Sequence, residues 1–277
     1  MGYVVAVIFS IIFMIGMLAW GIVPAFFHSA VIFGWPVFTP STLKLFMAPG
    51  FLISAGLCAL FNFRVNRRFA PPTGSLKNNA AVYVTLLLLP VLLQLLASPL
   101  YDMSLWLFKP NDLYRSLLET LRPTGQPIDT AGAILSIVLI GPVCEEVVFR
   151  GFMIERALTE RRNLHLVILL QAFLFGLAHM NPWQFFYGVA FGALFGYLRI
   201  WSGGILLSTV IHSLVNGWSV AAMYVDIPLI SNQDDTAMNL DLKIVAIALI
   251  LAIAVLYWLY KAYHKDSHSH LNDISSP

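Results

Sequence analysis

Long apolar segments separated by short polar stretches constrain this chain more than any other feature of its sequence. Most of them reach the roughly 20 residues that a helix needs to cross a bilayer core of about 30 Å. Composition agrees, because 59% of the residues are hydrophobic and 11% are charged, whereas soluble domains are about 25% charged. We therefore predict an all-α, polytopic integral membrane bundle of about eight transmembrane helices. The apolar segments span residues 4–27, 43–63, 80–108, 130–157, 164–180, 183–201, 204–225 and 242–263.

Two segments need separate comment. The third apolar segment contains Pro90 and Pro99, so we predict a kink there, or a break near Ser98 that would raise the count to nine. Residues 109–129 are polar and amphipathic, with leucines at helical spacing and charged residues off that stripe. The leucines are Leu113, Leu117, Leu118 and Leu121, and the charged residues are Arg115, Glu119 and Arg122. We predict an interfacial helix lying on the bilayer, with a substrate gate as the alternative.

Basic residues predict the orientation of the bundle, because cytoplasmic loops are enriched in Lys and Arg. With eight spans, one side holds Arg64, Arg67, Arg68, Lys77, Arg156, Arg161, Arg162, Arg199, Lys261 and Lys265. The other side holds Lys44, Lys109, Arg115, Arg122 and Lys243. We therefore predict that both termini are cytoplasmic. The first 20 residues lack Lys and Arg and read as a retained spanning helix. A net charge of +2 with no basic stripe gives no indication of a nucleic-acid partner.

Charged side chains occur inside the fourth apolar segment, where Gly141 to Gly151 reads GPVCEEVVFRG. A charge at membrane depth is costly and normally marks a functional site. Glu146 and Arg150 are four residues apart, so they share a helix face and are predicted to pair. Glu145 points about 100° away from Glu146 and therefore needs another partner.

Two further apolar segments supply polar partners. Phe175 to His179 reads FGLAH, and His212 to Asn216 reads HSLVN, which places His212 and Asn216 on one helix face. Three helices thus bring together a carboxylate, two imidazoles and a carboxamide, which is what hydrolysis requires. Cys58 and Cys144 lie in apolar segments, so we expect buried thiols rather than a disulfide framework.

Two mechanisms use these residues. In the first, Glu145 and His179 activate a water that attacks a peptide carbonyl, while His212 and Asn216 donate hydrogen bonds to the oxyanion. In the second, Glu145, His179 and His212 bind zinc, which acidifies the water. The sequence lacks HExxH, and a carboxamide is an unusual zinc ligand, so we favour the mechanism without a metal. The sequence also lacks GxSxG, so no serine mechanism competes.

With these motifs, the chain resembles the CAAX-protease and bacteriocin-processing (CPBP, or Abi) family of intramembrane endopeptidases. The family motifs EExxxR, FxxxH and HxxxN stand at residues 145–150, 175–179 and 212–216. The resemblance implies a buried cavity in which Glu145 and His179 activate water and His212 with Asn216 binds the oxyanion. Glu146, Arg150 and Phe175 are then supporting residues. Relatives have been described both as metalloproteases and as glutamate-type proteases, so zinc stays open as a cofactor.

The resemblance covers residues 130–225, which we predict to be the catalytic helical core. Residues 1–129 would form N-terminal transmembrane helices with the interfacial segment, and residues 226–277 a last transmembrane helix with a polar tail. The partners implied are the lipid bilayer, in a bacterial cell membrane, and a peptide substrate that is membrane-bound or lipidated, of a prenylated CAAX type or a leader, pheromone or bacteriocin type. The oligomeric state stays open. The alternatives are a non-catalytic scaffold or bacteriocin-immunity protein of the same fold, and a proton-coupled transporter.

Overall fold

The structure, a computed structural model, is a bundle of eight helices in the part of the chain that it describes. It describes residues 4, 7–8, 11–13, 15–17, 31–32, 35–36, 40–66, 73, 76–227, 229 and 239–264. The helices are α1 (Pro40–Asn66), α2 (Ala80–Leu107), α3 (Asp112–Leu121), α4 (a continuous run that begins at Pro127 and ends at Thr159), α5 (Leu164–Ala178), α6 (Phe185–Ser202), α7 (Leu206–Tyr224) and α8 (Leu242–His264). Strands β1 (Val31–Ile32) and β2 (Trp35–Pro36) form one short antiparallel pair.

The prediction of an all-α membrane bundle is confirmed. Five described helices are long and apolar enough to cross a bilayer, and α5 is apolar but shorter. The five spans are Thr42–Leu60, Ala80–Leu107, Pro127–Leu158, Leu206–Tyr224 and Leu242–His264. The described residues of the first predicted segment are helical up to Met17, and the rest of that segment lies outside the described residues. Orientation stays a prediction.

The predicted break near Ser98 is wrong, because α2 continues from Ala80 to Leu107 with Pro90 and Pro99 inside it. Each proline removes one helical hydrogen bond. Two missing bonds do not divide a helix of 28 residues that packs against α6, α7 and α8 along its length. The count of segments is therefore not increased by this helix.

Small residues bring α5 and α6 close together, which fixes the end of α5 where the first histidine lies. A Cβ on Gly176 would lie 2.6 Å from the Cγ2 atom of Val189, and one on Gly192 would lie 2.9 Å from the Cα atom of Ala172. Such distances leave no room for a side chain. The two helix backbones are therefore in direct contact, as small residues allow in membrane helices.

Helix α4 alternates between α and π geometry around the two glutamates. Its parts are Pro127–Ala133 (α), Ile134–Ile140 (π), Gly141–Glu146 (α), Val147–Ile154 (π) and Glu155–Thr159 (α). The N–H of Gly141 donates to Ser136 O, five residues earlier, and the next residue, Pro142, has no N–H. The carbonyl of Ile137 is thereby left without its helical donor. π segments within helices frequently occur at functional sites.

A buried ion pair joins α1 to the start of α4. Lys44 Nζ lies 2.6 Å from Asp129 Oδ1, and the exposed fractions of the two side chains are 1% and 0%. Asp129 Oδ2 also accepts hydrogen bonds from the Tyr224 hydroxyl, at 2.8 Å, and from the Thr124 N–H, at 3.1 Å. The sequence analysis counted Lys44 only among the basic residues on one side of the bundle, so it missed this pair.

Helix α3 is shorter than the predicted interfacial segment and packs against the bundle. It covers Asp112–Leu121, and the Asn111 side chain caps its first turn. Tyr114 is buried; its ring lies 4.7 Å from that of Trp183, and its hydroxyl is hydrogen-bonded to that of Tyr101. The side chains of Leu113 and Leu117 lie outside the described set. Because one face of α3 contacts α2 and the turn after α5, it is part of the tertiary structure.

Candidate active site

A cavity of about 720 Å³ lies at the centre of the bundle and contains the predicted site residues. Glu145, Phe175, His179, His212 and Asn216 all line its wall. They come from α4, the end of α5 and α7. The fold brings both predicted histidines, His179 and His212, to the same cavity.

The predicted pair between Glu146 and Arg150 is confirmed. Arg150 Nη1 lies 3.0 Å from Glu146 Oε1, and both side chains are 0% exposed. Arg150 Nη2 also donates to Gly192 O, at 3.1 Å, which ties α4 to α6. The guanidinium carbon lies 4.2 Å from the centre of the Phe175 ring, within the range of a cation–π interaction. Arginine suits this position because its planar guanidinium can pair with a carboxylate and stack on an aromatic ring at the same time.

His212 lies between the two glutamates of the fourth segment. Its Nδ1 atom lies 3.1 Å from Glu146 Oε1, and its Nε2 atom lies 3.6 Å from Glu145 Oε2. The ring is stacked on Phe195, with 4.8 Å between the ring centres. A carboxylate paired with Arg150 only accepts hydrogen bonds, so the proton of this contact is on Nδ1. The Nε2 atom of His212 is left facing Glu145.

His179 lies immediately after the last residue of α5, and its backbone caps that helix. Its Nδ1 atom is 2.9 Å from Phe175 O, a carbonyl that can only accept, so Nδ1 carries the proton. In a neutral ring, Nε2 then keeps its lone pair. The ring lies edge-on to Phe175, 5.0 Å between centres, and the ring of His212 lies 5.6 Å from Phe175. Phe175 therefore contacts both histidine rings and also the guanidinium of Arg150.

Asn216 donates the hydrogen bond that the Ile137 carbonyl does not receive from its own helix. The Asn216 Nδ2 atom donates to Ile137 O at 3.0 Å, and this is the carbonyl that Pro142 leaves without a helical partner. A carboxamide NH₂ has two hydrogens, so one N–H remains for another acceptor. Asn216 thus connects α7 to α4, and it still has one donor for a ligand in the cavity.

Glu145 is the more accessible of the two glutamates, with 15% of its side chain exposed against 0% for Glu146. The predicted arrangement, with one carboxylate held by its own helix and the other directed elsewhere, is therefore observed. In the described residues no group of three His, Cys, Asp or Glu side chains is placed to hold a metal ion. The set named for zinc, Glu145 with His179 and His212, is not gathered as a metal site in this geometry.

Sequence reasoning missed several residues around the site. Phe195 stacks on His212, and Gln171 Nε2 donates to Gly192 O at 2.7 Å, beside the Arg150 contact. Gln94 Nε2 donates to Val215 O, at 2.7 Å, and lines the cavity from α2. Gln94 and Gln171 are uncharged amides within apolar helices, and that was the one signal that the sequence carried for them. An additional phenylalanine in an apolar helix carries no such signal.

Comparison with known protein families agrees with this site. Residues 127–218 match a family described as type II CAAX prenyl endopeptidase Rce1-like. This part of the chain is similar to that family. The matched range is about a third of the 277 residues and includes all three motifs. No curated protein and no solved structure matches the chain.

The Rce1-like region confirms the resemblance stated from the motifs. The match supports a function of the CAAX-type intramembrane endopeptidase kind. Together with the five apolar helices, it supports an integral membrane protein. It also suggests a membrane-embedded peptide as the kind of substrate. The roles of individual residues in the Rce1-like region remain predictions.

Proposed function

We propose that the protein is an intramembrane endopeptidase that hydrolyses a peptide bond in a membrane-associated, lipidated substrate of the prenylated CAAX type. The observation that carries the proposal is the cavity of about 720 Å³ on which Glu145, His179, His212 and Asn216 converge. The Rce1-like match over residues 127–218 supports both the reaction and the substrate class. We keep both termini in the cytoplasm, and a bacterial cell membrane as the location, as predictions.

In this mechanism, Glu145 and His179 activate the attacking water. The protonated Nδ1 of His179 supports this role, because a neutral ring then has a lone pair on Nε2 that can accept a proton from water. Glu145 lines the same cavity, and its carboxylate is not paired with Arg150. Two acceptors on one cavity can hold a water and take up its proton as it attacks the substrate carbonyl.

His212 and Asn216 stabilise the oxyanion. Asn216 keeps one N–H after its bond to Ile137 O, which supports a donor role. His212 donates from Nε2 only when both ring nitrogens carry protons. That cationic form would have a carboxylate at each nitrogen, Glu146 at 3.1 Å and Glu145 at 3.6 Å, as counter-charges. The pair Glu146–Arg150 holds the histidine in place.

The experiment compares wild type with Glu145→Gln in detergent, using a farnesylated CAAX peptide and a membrane-peptide library, with products identified by mass spectrometry. We expect cleavage by wild type and a loss of at least about 10²-fold in Glu145→Gln, the usual contribution of a general base. Glu119→Gln is the matched control, because Glu119 is exposed on α3. It should cleave like wild type.

The alternative, a scaffold or immunity protein of the same fold, predicts a different result. In that case neither form cleaves, and Glu145→Gln restores the cellular phenotype that deletion of the gene removes. Equal cleavage by wild type and Glu145→Gln would contradict the proposed role of Glu145.

A further inference from the structure

Among the described residues, one hydroxyl on the cavity wall has no hydrogen-bond partner. The side chain of Ser98 on α2 is 2% exposed, and its Oγ atom is unpartnered among the described residues. Ser98 lines the cavity that contains Glu145 and His212. Buried hydroxyls are normally hydrogen-bonded, so an unpartnered one next to a cavity indicates that a ligand group completes it.

The other small hydroxyls on α2 behave differently. Thr85 Oγ1 donates to Ala81 O at 2.6 Å, and Ser104 Oγ donates to Leu100 O at 2.9 Å, each to a carbonyl four residues earlier. This is the usual bond of a serine or threonine inside a helix. Ser98 does not make this bond, although α2 also places a carbonyl, that of Gln94, four residues before it. Its hydroxyl therefore keeps an unused hydrogen-bonding capacity, on a residue that lines the cavity.

A second polar atom is available one turn earlier on the same helix. The side-chain nitrogen of Gln94 donates two hydrogen bonds to α7, one to Val215 O at 2.7 Å and one to Ser219 Oγ at 2.9 Å. These two bonds fix the orientation of the carboxamide. Its Oε1 atom accepts no hydrogen bond from any described residue, and Gln94 also lines the cavity. Val215 directly precedes Asn216 in the chain, and Gln94 and Asn216 line the same cavity.

These two residues offer complementary hydrogen-bonding groups to a peptide main chain. They are four residues apart on α2 and therefore lie on the same face of the helix. Gln94 Oε1 can accept an N–H, and the Ser98 hydroxyl can donate to a C=O.

We propose that Gln94 and Ser98 form a subsite that hydrogen-bonds the main chain of an extended peptide and positions its scissile bond beside Glu145 and His212. The inference rests on the proposed function for its substrate class. It assigns to both residues a positioning role rather than a part in bond cleavage. Because the contacts are to main-chain groups, this subsite selects an extended conformation and not a particular side chain.

The test measures peptide binding separately from cleavage. Glu145→Gln, purified in detergent, is titrated with a dansyl-labelled farnesylated CAAX peptide, and Ser98→Ala is added to that background. Loss of one hydrogen bond between neutral groups should weaken binding about two- to tenfold. The thermal midpoint should stay the same or rise, because Ser98 Oγ has no protein partner to lose.

Ser136→Ala is the matched control in the same background. Ser136 is also buried, at 0% exposure, and its Oγ is also unpartnered in the described part of the chain, but it does not line the cavity. It should leave peptide affinity unchanged. A second series replaces each substrate amide near the cleavage site with an ester. At one position the ester should weaken binding, because it lacks the N–H that Gln94 Oε1 would accept, and this loss should add to the effect of Ser98→Ala.

The outcomes separate this subsite from the proposed function. Binding that depends on Ser98 without cleavage by wild type would support the subsite and count against proteolysis. Cleavage that depends on Glu145, with Ser98→Ala binding and cleaving like its parent, would overturn the subsite and leave proteolysis standing. Equal losses in Ser98→Ala and Ser136→Ala, or no peptide binding by any form, would also overturn it.

Discussion

Replacing Asn216 should destabilise the protein only while Pro142 is present. The Asn216 amide donates to Ile137 O at 3.0 Å. That carbonyl lacks a helical donor, because the N–H of Gly141 bonds to Ser136 O and Pro142 has no N–H. In Asn216→Leu, the volume is roughly kept and a carbonyl in an apolar helix loses its partner. An unsatisfied buried polar group costs about 1–3 kcal/mol of unfolding free energy.

The variant Pro142→Ala supplies the missing donor from the helix itself. In the double variant, the N–H of residue 142 can reach Ile137 O, so the loss caused by Asn216→Leu should largely disappear. We expect a coupling of about 1–2 kcal/mol between the two positions, within the range for residues that share a partner. Unfolding of the four proteins by heat or by SDS in detergent measures it. Equal destabilisation in both backgrounds would refute this account of Asn216.

The same four proteins separate structure from chemistry. If Asn216 also donates to the oxyanion, the double variant regains stability but still cleaves peptide about 10²-fold more slowly, the effect of losing one such donor. Recovery of cleavage together with stability would mean that Asn216 acts only by connecting α7 to α4. The single variant Pro142→Ala is the reference for both measurements.

Three further predictions concern charges and metal. Glu146→Gln should lower stability by about 3–5 kcal/mol, since the buried charge of Arg150 loses its partner, whereas Glu145→Gln should leave the thermal midpoint nearly unchanged. Lys44→Met should lower the free energy of unfolding by a similar amount, because Asp129 loses its partner. Combining it with Asp129→Asn should restore more than half of that loss in thermal unfolding, and no recovery would contradict a simple charge pair. Protein purified without added metal should cleave peptide in the presence of a chelator; stoichiometric zinc, with activity lost on chelation and restored by zinc, would overturn the metal-free mechanism.

Local patterns carried the correct predictions. The lengths of the apolar segments predicted the membrane helices. In the structure, five of the described helices are long and apolar enough to cross the bilayer. Helical spacing predicted the pair between Glu146 and Arg150, because residues four apart meet on any helix. Of the two alternatives predicted for α2, a kink or a break near Ser98, the break is wrong, since proline propensity is local and the packing of α2 against its neighbours is not.

Contacts between helices were beyond the sequence, and they decide the chemistry of the site. The residue types in the three motifs determined which groups are present, but not that Glu146 and Glu145 would face opposite nitrogens of His212. The partner of Lys44 is Asp129, 85 residues later, and no spacing rule covers that distance. The chain by itself determined helices and the charges placed on them, because those follow from hydrogen bonding and hydrophobicity along the chain. Only packing in three dimensions determined which polar atoms were satisfied and which, such as Ser98 Oγ, have no partner among the described residues.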